Sequence, residues 1–126
     1  MAAKPSVKKQ NADIKVEVER FNILLPLISE KKQATASMLI EKIAFMAITL
    51  KILEENIKLN GPITRMINGK QDMMIINPAQ KSYDSLITRY MNAIEKLNNM
   101  LPPSLDLAAA INNGDDFDSF VQERGD

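Results

Sequence analysis

The sequence predicts an all-α protein built on an antiparallel helical hairpin, with helices at about residues 35–60 and 77–101. Apolar residues recur at helical spacing in both segments, and a glycine or proline stop signal follows each one. The spacing of Val18, Phe21 and Leu25 also predicts a short N-terminal helix ending near Pro26, since proline disfavours a helical conformation in the residue before it. The alternative there is a strand, because Ile14, Val16 and Val18 alternate with charged residues. A small β-hairpin or loop near residues 63–76 and flexible termini complete the prediction.

The first long helix is predicted from two apolar stripes. Spacings of 4, 3, 4, 3 and 4 residues place one stripe on a single face: Leu39, Ile43, Met46, Leu50, Leu53 and Ile57. The second stripe lies on another side: Phe45, Ile48, Ile52 and Leu59. One hairpin partner covers only one stripe, so the second is predicted to be an oligomer interface. The alternative is that the short N-terminal helix covers it.

The second long helix has a well-defined predicted start. Asn77 can cap it, Pro78 suits its first position, and Gln80 stands where a capping-box partner would. The same apolar spacing recurs in Tyr83, Ile87, Tyr90, Ile94, Leu97 and Leu101. Between the helices, Asn68-Gly69 is the preferred two-residue turn of a β-hairpin, because both central positions need positive φ.

Charge and composition predict three parts: a flexible basic arm (1–12), a helical assembly domain (13–112) and an acidic flexible tail (113–126). Residues 1–105 carry fifteen Lys and Arg against ten Asp and Glu, whereas residues 106–126 carry one Arg against six acids. This asymmetry suggests two kinds of partner. Phe117, Phe120 and Val121, at i, i+3 and i+4, are typical of a peptide that folds as a helix in a partner's groove. The alternative is a solvating tail with incidental aromatics.

The composition argues against an enzyme. The chain contains no Cys and no His, which removes thiol nucleophiles, thiolate metal sites and the commonest general base. No carboxylates fall at a metal-loop or paired-acid spacing, so we expect no catalytic residues, metal or cofactor. Charges interrupt every apolar stretch before the roughly 18 residues of a membrane span, and no signal-peptide core is present. We therefore expect an intracellular protein that does not contact a membrane.

Several sequence blocks in residues 24–102 resemble bacteriophage terminase small subunits, in the form common in phages of Gram-positive hosts. The marks are a Leu-rich helix ending in "LNGP", a middle segment with "NG", a helix start "NPAQKSY", and a final "LNNMLP". Each mark is also common in unrelated helical proteins, so their order and spacing carry the resemblance. The N-terminal arm and the acidic tail lie outside it.

The resemblance implies the recognition component of a viral genome-packaging motor. Such a protein binds double-stranded viral DNA, assembles into a homo-oligomeric ring, and recruits and regulates the large terminase subunit, which holds the ATPase and the nuclease. It works in the cytoplasm of the infected bacterial host. The alternative is a helical regulatory module of phage or plasmid origin that binds a protein partner and no DNA.

The resemblance also gives roles to the residues. Basic side chains become candidate DNA contacts: Lys4, Lys8, Lys9, Lys15, Lys31, Lys32, Arg65 and Lys70. The second stripe on the first long helix would join neighbouring subunits. Phe117, Phe120 and Val121 would dock the large subunit.

Overall fold

A computed structural model describes residues 4–111 of the chain. It confirms a mostly helical fold with one small antiparallel sheet. In chain order the elements are helices α1 (Val7–Asn22) and α2 (Glu30–Asn60), strands β1 (Ile63–Asn68) and β2 (Gln71–Ile76), and helix α3 (Pro78–Asn99). A single 3-10 turn, Leu25–Leu27, joins α1 to α2, and residues 107–111 are again helical. No helix within residues 4–111 combines the length and apolar content that a membrane crossing needs.

Helix α1 begins earlier than predicted, inside the segment expected to be a flexible arm. Ser6 caps it, accepting a hydrogen bond on Oγ from the backbone N–H of Lys9 at 3.0 Å. Lys9 then pairs with Asp13 one turn later at 3.1 Å. These polar interactions supply the start signal, whereas the prediction relied on apolar spacing, which is sparse before Ile14.

Helix α2 also begins before the predicted position, at Glu30, and spans 31 residues or about 46 Å. Gln33 holds its start against the preceding 3-10 turn, since Nε2 donates to the carbonyls of Leu25 and Ile28, both at 3.0 Å. The end at Asn60 is as predicted. Gly61 follows with φ of 78°, and its N–H donates to the Ile57 carbonyl at 2.7 Å.

Strands β1 and β2 form a hairpin whose turn lies one residue later than predicted. Asn68 pairs with Gln71, which leaves Gly69 and Lys70 as the central residues. Gly69 has φ of 62°, and no residue other than glycine among residues 4–111 has positive φ. One positive φ, at the first central position, fits a type II′ turn rather than the predicted type I′ turn, which needs two.

Helix α3 starts as predicted, with one difference in its cap. Asn77 accepts a hydrogen bond on Oδ1 from the N–H of Ala79 at 3.0 Å, and Pro78 occupies the first helical position. Gln80 does not complete a capping box. Its amide donates instead to Asp84 at 2.8 Å. The helix therefore has a single side-chain cap.

Helices α2 and α3 run in opposite directions. Near the hairpin, Tyr83 Oη donates to Glu54 at 3.2 Å. At the other end, Leu97 packs in the main core with Ile40 and Ile43 of α2. Burial first and the Glu54 carboxylate second raise the pKa of Tyr83, so its hydroxyl stays protonated and donates at neutral pH.

The main core lies at the end of the molecule away from the hairpin. It joins the C-terminal part of α1, the N-terminal half of α2, the C-terminal half of α3 and the segment after α3: Phe21, Leu24, Ile28, Ala36, Ile40, Ile43, Ala93, Leu97, Leu101, Leu107 and Ile111. Leu24, Ile40, Ile43 and Leu97 are its fully buried large side chains. Because this core is at one end, the β-hairpin contributes nothing to it and extends from the lightly packed end.

Candidate interaction surfaces

The structure divides the predicted DNA-binding residues between two ends of the molecule. Helix α1 runs against α2, with Glu17 and Arg20 bordering a cleft of about 250 Å³ beside Lys51 and Glu54. The start of α1, with Lys8 and Lys9, therefore lies towards the hairpin. Lys31 and Lys32 stand in the first turn of α2, about 40 Å from that end at 1.5 Å per residue. One copy cannot bring both groups to a single short DNA contact.

The basic side chains near the hairpin are exposed but partly neutralised. Lys4, Lys8, Lys9 and Lys15 all face solvent, yet α1 balances its four basic residues with three acidic ones. Lys9 pairs with Asp13. Lys70 lies exposed at the hairpin turn. Helix α1 is thus only mildly basic.

Arg65 is engaged within its own hairpin. Its Nε donates to Asp72 Oδ1 at 2.7 Å, and a second, parallel hydrogen bond joins its terminal nitrogen to Oδ2. This side-chain hydrogen bonding lowers the pKa of Asp72 and raises the pKa of Arg65. Two nitrogens of this guanidinium already donate to a carboxylate, and its charge is paired. Arg65 is therefore the weakest of the predicted DNA contacts.

An open groove on α3 adds two basic residues that the sequence prediction missed. Lys81 and Arg89 line a groove of about 670 Å³ with the hydroxyl side chains Ser82, Ser85 and Thr49. Neither Lys81 nor Arg89 forms an ion pair with another residue in the part of the chain that the structure describes. Their spacing of eight residues, about two helical turns, is the signal that would have placed them on one face.

The second apolar stripe of α2 is not uniformly exposed. Phe45 and Leu59 are 55% and 58% exposed and remain available to a partner. Ile52 is half-buried. Ile48 is only 8% exposed and borders the cleft of about 250 Å³ that α1 and α3 flank, beside Ile87 and Tyr90. The middle of the stripe is therefore largely covered within the chain, and Phe45 and Leu59 at its two ends keep free surface.

The β-hairpin carries much of the remaining exposed apolar surface. Six of its twelve strand residues are large hydrophobic side chains that face solvent: Ile63, Met66, Ile67, Met73, Met74 and Ile76. The sequence prediction treated this segment as a projecting element that carries Arg65 and Lys70. Its content of isoleucine and methionine was the overlooked signal.

No metal-binding cluster accompanies these surfaces in the described part of the chain. Among residues 4–111, no three acidic side chains come together as a metal site requires. Burial, and to a lesser degree the nearby Glu17, raises the pKa of Tyr90, with Arg20 acting in the opposite direction.

The predicted docking residues Phe117, Phe120 and Val121 lie outside the described residues. Comparison with known proteins adds no identification: no protein-family model, no curated protein and no solved structure matches this chain. The functional interpretation therefore depends on the surfaces described above and on the order of the sequence blocks in residues 24–102.

Proposed function

We propose that the chain is the small subunit of a phage terminase, a non-catalytic protein that assembles into a ring, binds viral DNA and recruits the large subunit in the cytoplasm of the infected host. The observation that supports assembly most directly is the exposed apolar surface on the hairpin and on α2. A folded protein rarely leaves so many large apolar side chains uncovered without a partner.

DNA binding is the second part of this proposal. The supporting side chains are Lys8, Lys9 and Lys70, with Lys81 and Arg89 in the open groove as additions. One copy offers few phosphate contacts and should bind weakly, but a ring repeats each contact. Lys31 and Lys32, at the far end of α2, would contact only DNA that extends along the whole subunit.

The salt dependence of DNA binding tests this part. We expect the double substitution Lys8→Ala and Lys9→Ala to weaken binding of duplex DNA and to reduce the slope of log K against log salt by about one for each phosphate that is no longer neutralised. Fluorescence anisotropy across a salt series measures both quantities. The matched control is Lys42→Ala with Lys96→Ala, which removes the same charge from exposed positions on α2 and α3.

A slope that falls equally in both double variants would show that net charge, and not the α1 lysines, governs binding. Oligomers of the unaltered chain that bind no duplex DNA even at low salt would instead favour the alternative, a regulatory module with a protein partner only. The pairing of Arg65 with Asp72 and of Lys9 with Asp13 is the observation that favours this alternative.

Recruitment of the large subunit is the third part, and we assign it to residues 113–126. We expect a chain ending at residue 112 to keep the oligomeric mass of the full chain and to lose binding to the large subunit. Native mass spectrometry and a pull-down with the large subunit measure the two properties. Full binding by the shortened chain would remove Phe117, Phe120 and Val121 from the docking site.

A further inference from the structure

One face of the β-hairpin is apolar and strongly exposed. Alternate residues of a strand share a face, and residues directly opposite each other across the sheet share it too. The register pairs Ile63 with Ile76 and Arg65 with Met74. Ile63, Ile67, Met74 and Ile76 therefore share one side, which we call the outer hairpin face, and each is between 55% and 65% exposed.

The charges on the outer hairpin face are already paired with each other. Arg65 and Asp72 lie diagonally across the two strands on this face and form their two parallel hydrogen bonds there. The face consequently has no net charge. It gives a phosphate backbone little to bind, and an apolar protein surface can approach it without leaving a single charge unpaired.

Both edges of the sheet also lack a neighbouring strand in the described part of the chain. Within residues 4–111 it consists of β1 and β2 alone, so the outer edge of each strand lacks a hydrogen-bonding strand. An isolated two-stranded sheet is marginally stable in water, and an exposed apolar edge readily pairs with another chain. Such a surface needs a partner that is present whenever the protein folds, and a second copy of the chain meets this condition.

The size of the surface indicates how the second copy binds. Four side chains expose a few hundred Å², comparable to the largest patch of an ordinary monomer. A standard interface buries about 800 Å² on each partner. The hairpin alone is therefore too small for a stable dimer, but it suffices as one of two contacts, the other involving Phe45 and Leu59 on α2.

We propose that the outer hairpin face packs against a neighbouring copy of the chain and forms one of the assembly contacts of the oligomer. This inference rests on the assembly part of the proposed function. It assigns the hairpin to subunit association and not to DNA contact.

A matched pair of methionine substitutions tests it in the full chain. Met74 on the outer hairpin face and Met91 on α3 are 65% and 57% exposed, so Met74→Lys and Met91→Lys introduce the same charge at similarly exposed positions, and Met91 lies outside both proposed assembly contacts. Native mass spectrometry and light scattering over a concentration series measure assembly, and circular dichroism checks helicity. We expect Met74→Lys to raise the concentration needed for half-assembly at least about tenfold. Met91→Lys should match the unaltered chain.

The outcomes separate this inference from the function on which it rests. A strictly monomeric unaltered chain would overturn the assembly part of the proposed function and this inference with it. An unaltered chain that assembles, with Met74→Lys assembling equally well, would overturn the hairpin contact alone. Equal loss in both variants would also overturn it, because charge at any exposed position would then be sufficient.

A second matched pair applies if Met74→Lys loses its helical signal. Ile67→Thr keeps a β-branched side chain in the strand, and Val16→Thr makes a similar change at a position of equal exposure, 65% against 64%. We expect the threonine in the hairpin, and not the one in α1, to weaken assembly several-fold. Unchanged assembly in both variants would overturn the proposal.

Discussion

Replacing Ile48 with aspartate is expected to destabilise the single chain by about 3 kcal/mol or more, and not merely to separate subunits. Ile48 is 8% exposed and borders the cleft that α1 and α3 flank. A carboxylate there either loses its hydration or forces the two helices apart. Since a domain of this size is stable by about 5–15 kcal/mol, such a loss removes a large part of the folding free energy.

Urea unfolding followed by circular dichroism measures this loss, with Phe45→Asp as the matched control. Phe45 lies three residues earlier on the same helix and is 55% exposed. Its substitution should leave the free energy of unfolding within about 0.5 kcal/mol, while weakening assembly if this end of the stripe is an interface. If Ile48→Asp kept full stability and only dissociated the oligomer, the packing of α1 over this position would be wrong.

Ile48 also shows where sequence prediction of the fold reached its limit. Helical spacing located most of α2 and α3, although α2 begins five residues before the predicted start, and it identified two apolar stripes on α2, because periodicity reports which residues share a face. It does not report which neighbour covers a face. Ala36, Ile40, Ala44 and Ile48 are all buried at a spacing of four residues, but the predicted stripes included only Ile48 and omitted Ile40 and the two alanines. Small side chains allow close packing of α1 without adding much to an apolar pattern.

The start of α1 and the position of the hairpin turn depend on polar interactions and backbone angles, which were harder to predict. The start of α1 depends on Ser6 and on the Lys9–Asp13 pair, which the low apolar content of this segment concealed. The hairpin turn uses one glycine with positive φ and not the Asn-Gly pair, so the turn lies one residue later and Ile67 pairs with Asp72 instead of Lys70. In each case a single hydrogen bond or backbone angle decided between local structures of similar propensity.

The candidate surfaces were predictable in kind but not in detail. Exposed lysines were expected, and Lys8, Lys9 and Lys70 are exposed. Whether a lysine or arginine is unpaired depends on which side chain lies next to it in the fold, and the sequence alone does not specify that neighbour. Asp72 meets Arg65 only because the strands pair in this register, and the same register brings Ile63 and Ile67 to one face with Met74.

Replacing Asn77 with alanine is expected to cost about 2–3 kcal/mol, the larger share through the base of the hairpin. Asn77 is the one buried polar side chain among residues 4–111, at 4% exposure. Its Oδ1 caps α3, while its Nδ2 donates to Asn56 Oδ1 at 3.1 Å and to the Gly61 carbonyl at 2.9 Å. Its backbone N–H donates to the Pro62 carbonyl at 2.8 Å.

One amide therefore joins the end of α2, the base of the hairpin and the start of α3. Comparison of Asn77→Ala with Asn77→Ser separates these functions. Serine retains a capping oxygen, so it should recover about 1 kcal/mol, the usual contribution of an N-cap. It lacks the amide nitrogen that holds Asn56 and Gly61. Asn92→Ala, an exposed change within α3, provides the control and should leave stability within about 0.5 kcal/mol.

Hydrogen exchange then shows whether the loss of stability in each variant arises in the hairpin or in the first turn of α3. In both Asn77 variants the hairpin amides should exchange faster than in the unaltered chain, because the side-chain hydrogen bonds at the hairpin base are absent from both. The first turn of α3 should exchange faster in the alanine variant only. If serine restored hairpin protection and full stability, the bonds to Asn56 and Gly61 would contribute nothing. The orientation of the hairpin would then depend on the backbone bond to Pro62 alone. If serine does not, this buried amide is what fixes the apolar hairpin face relative to the two long helices, as an assembly contact requires.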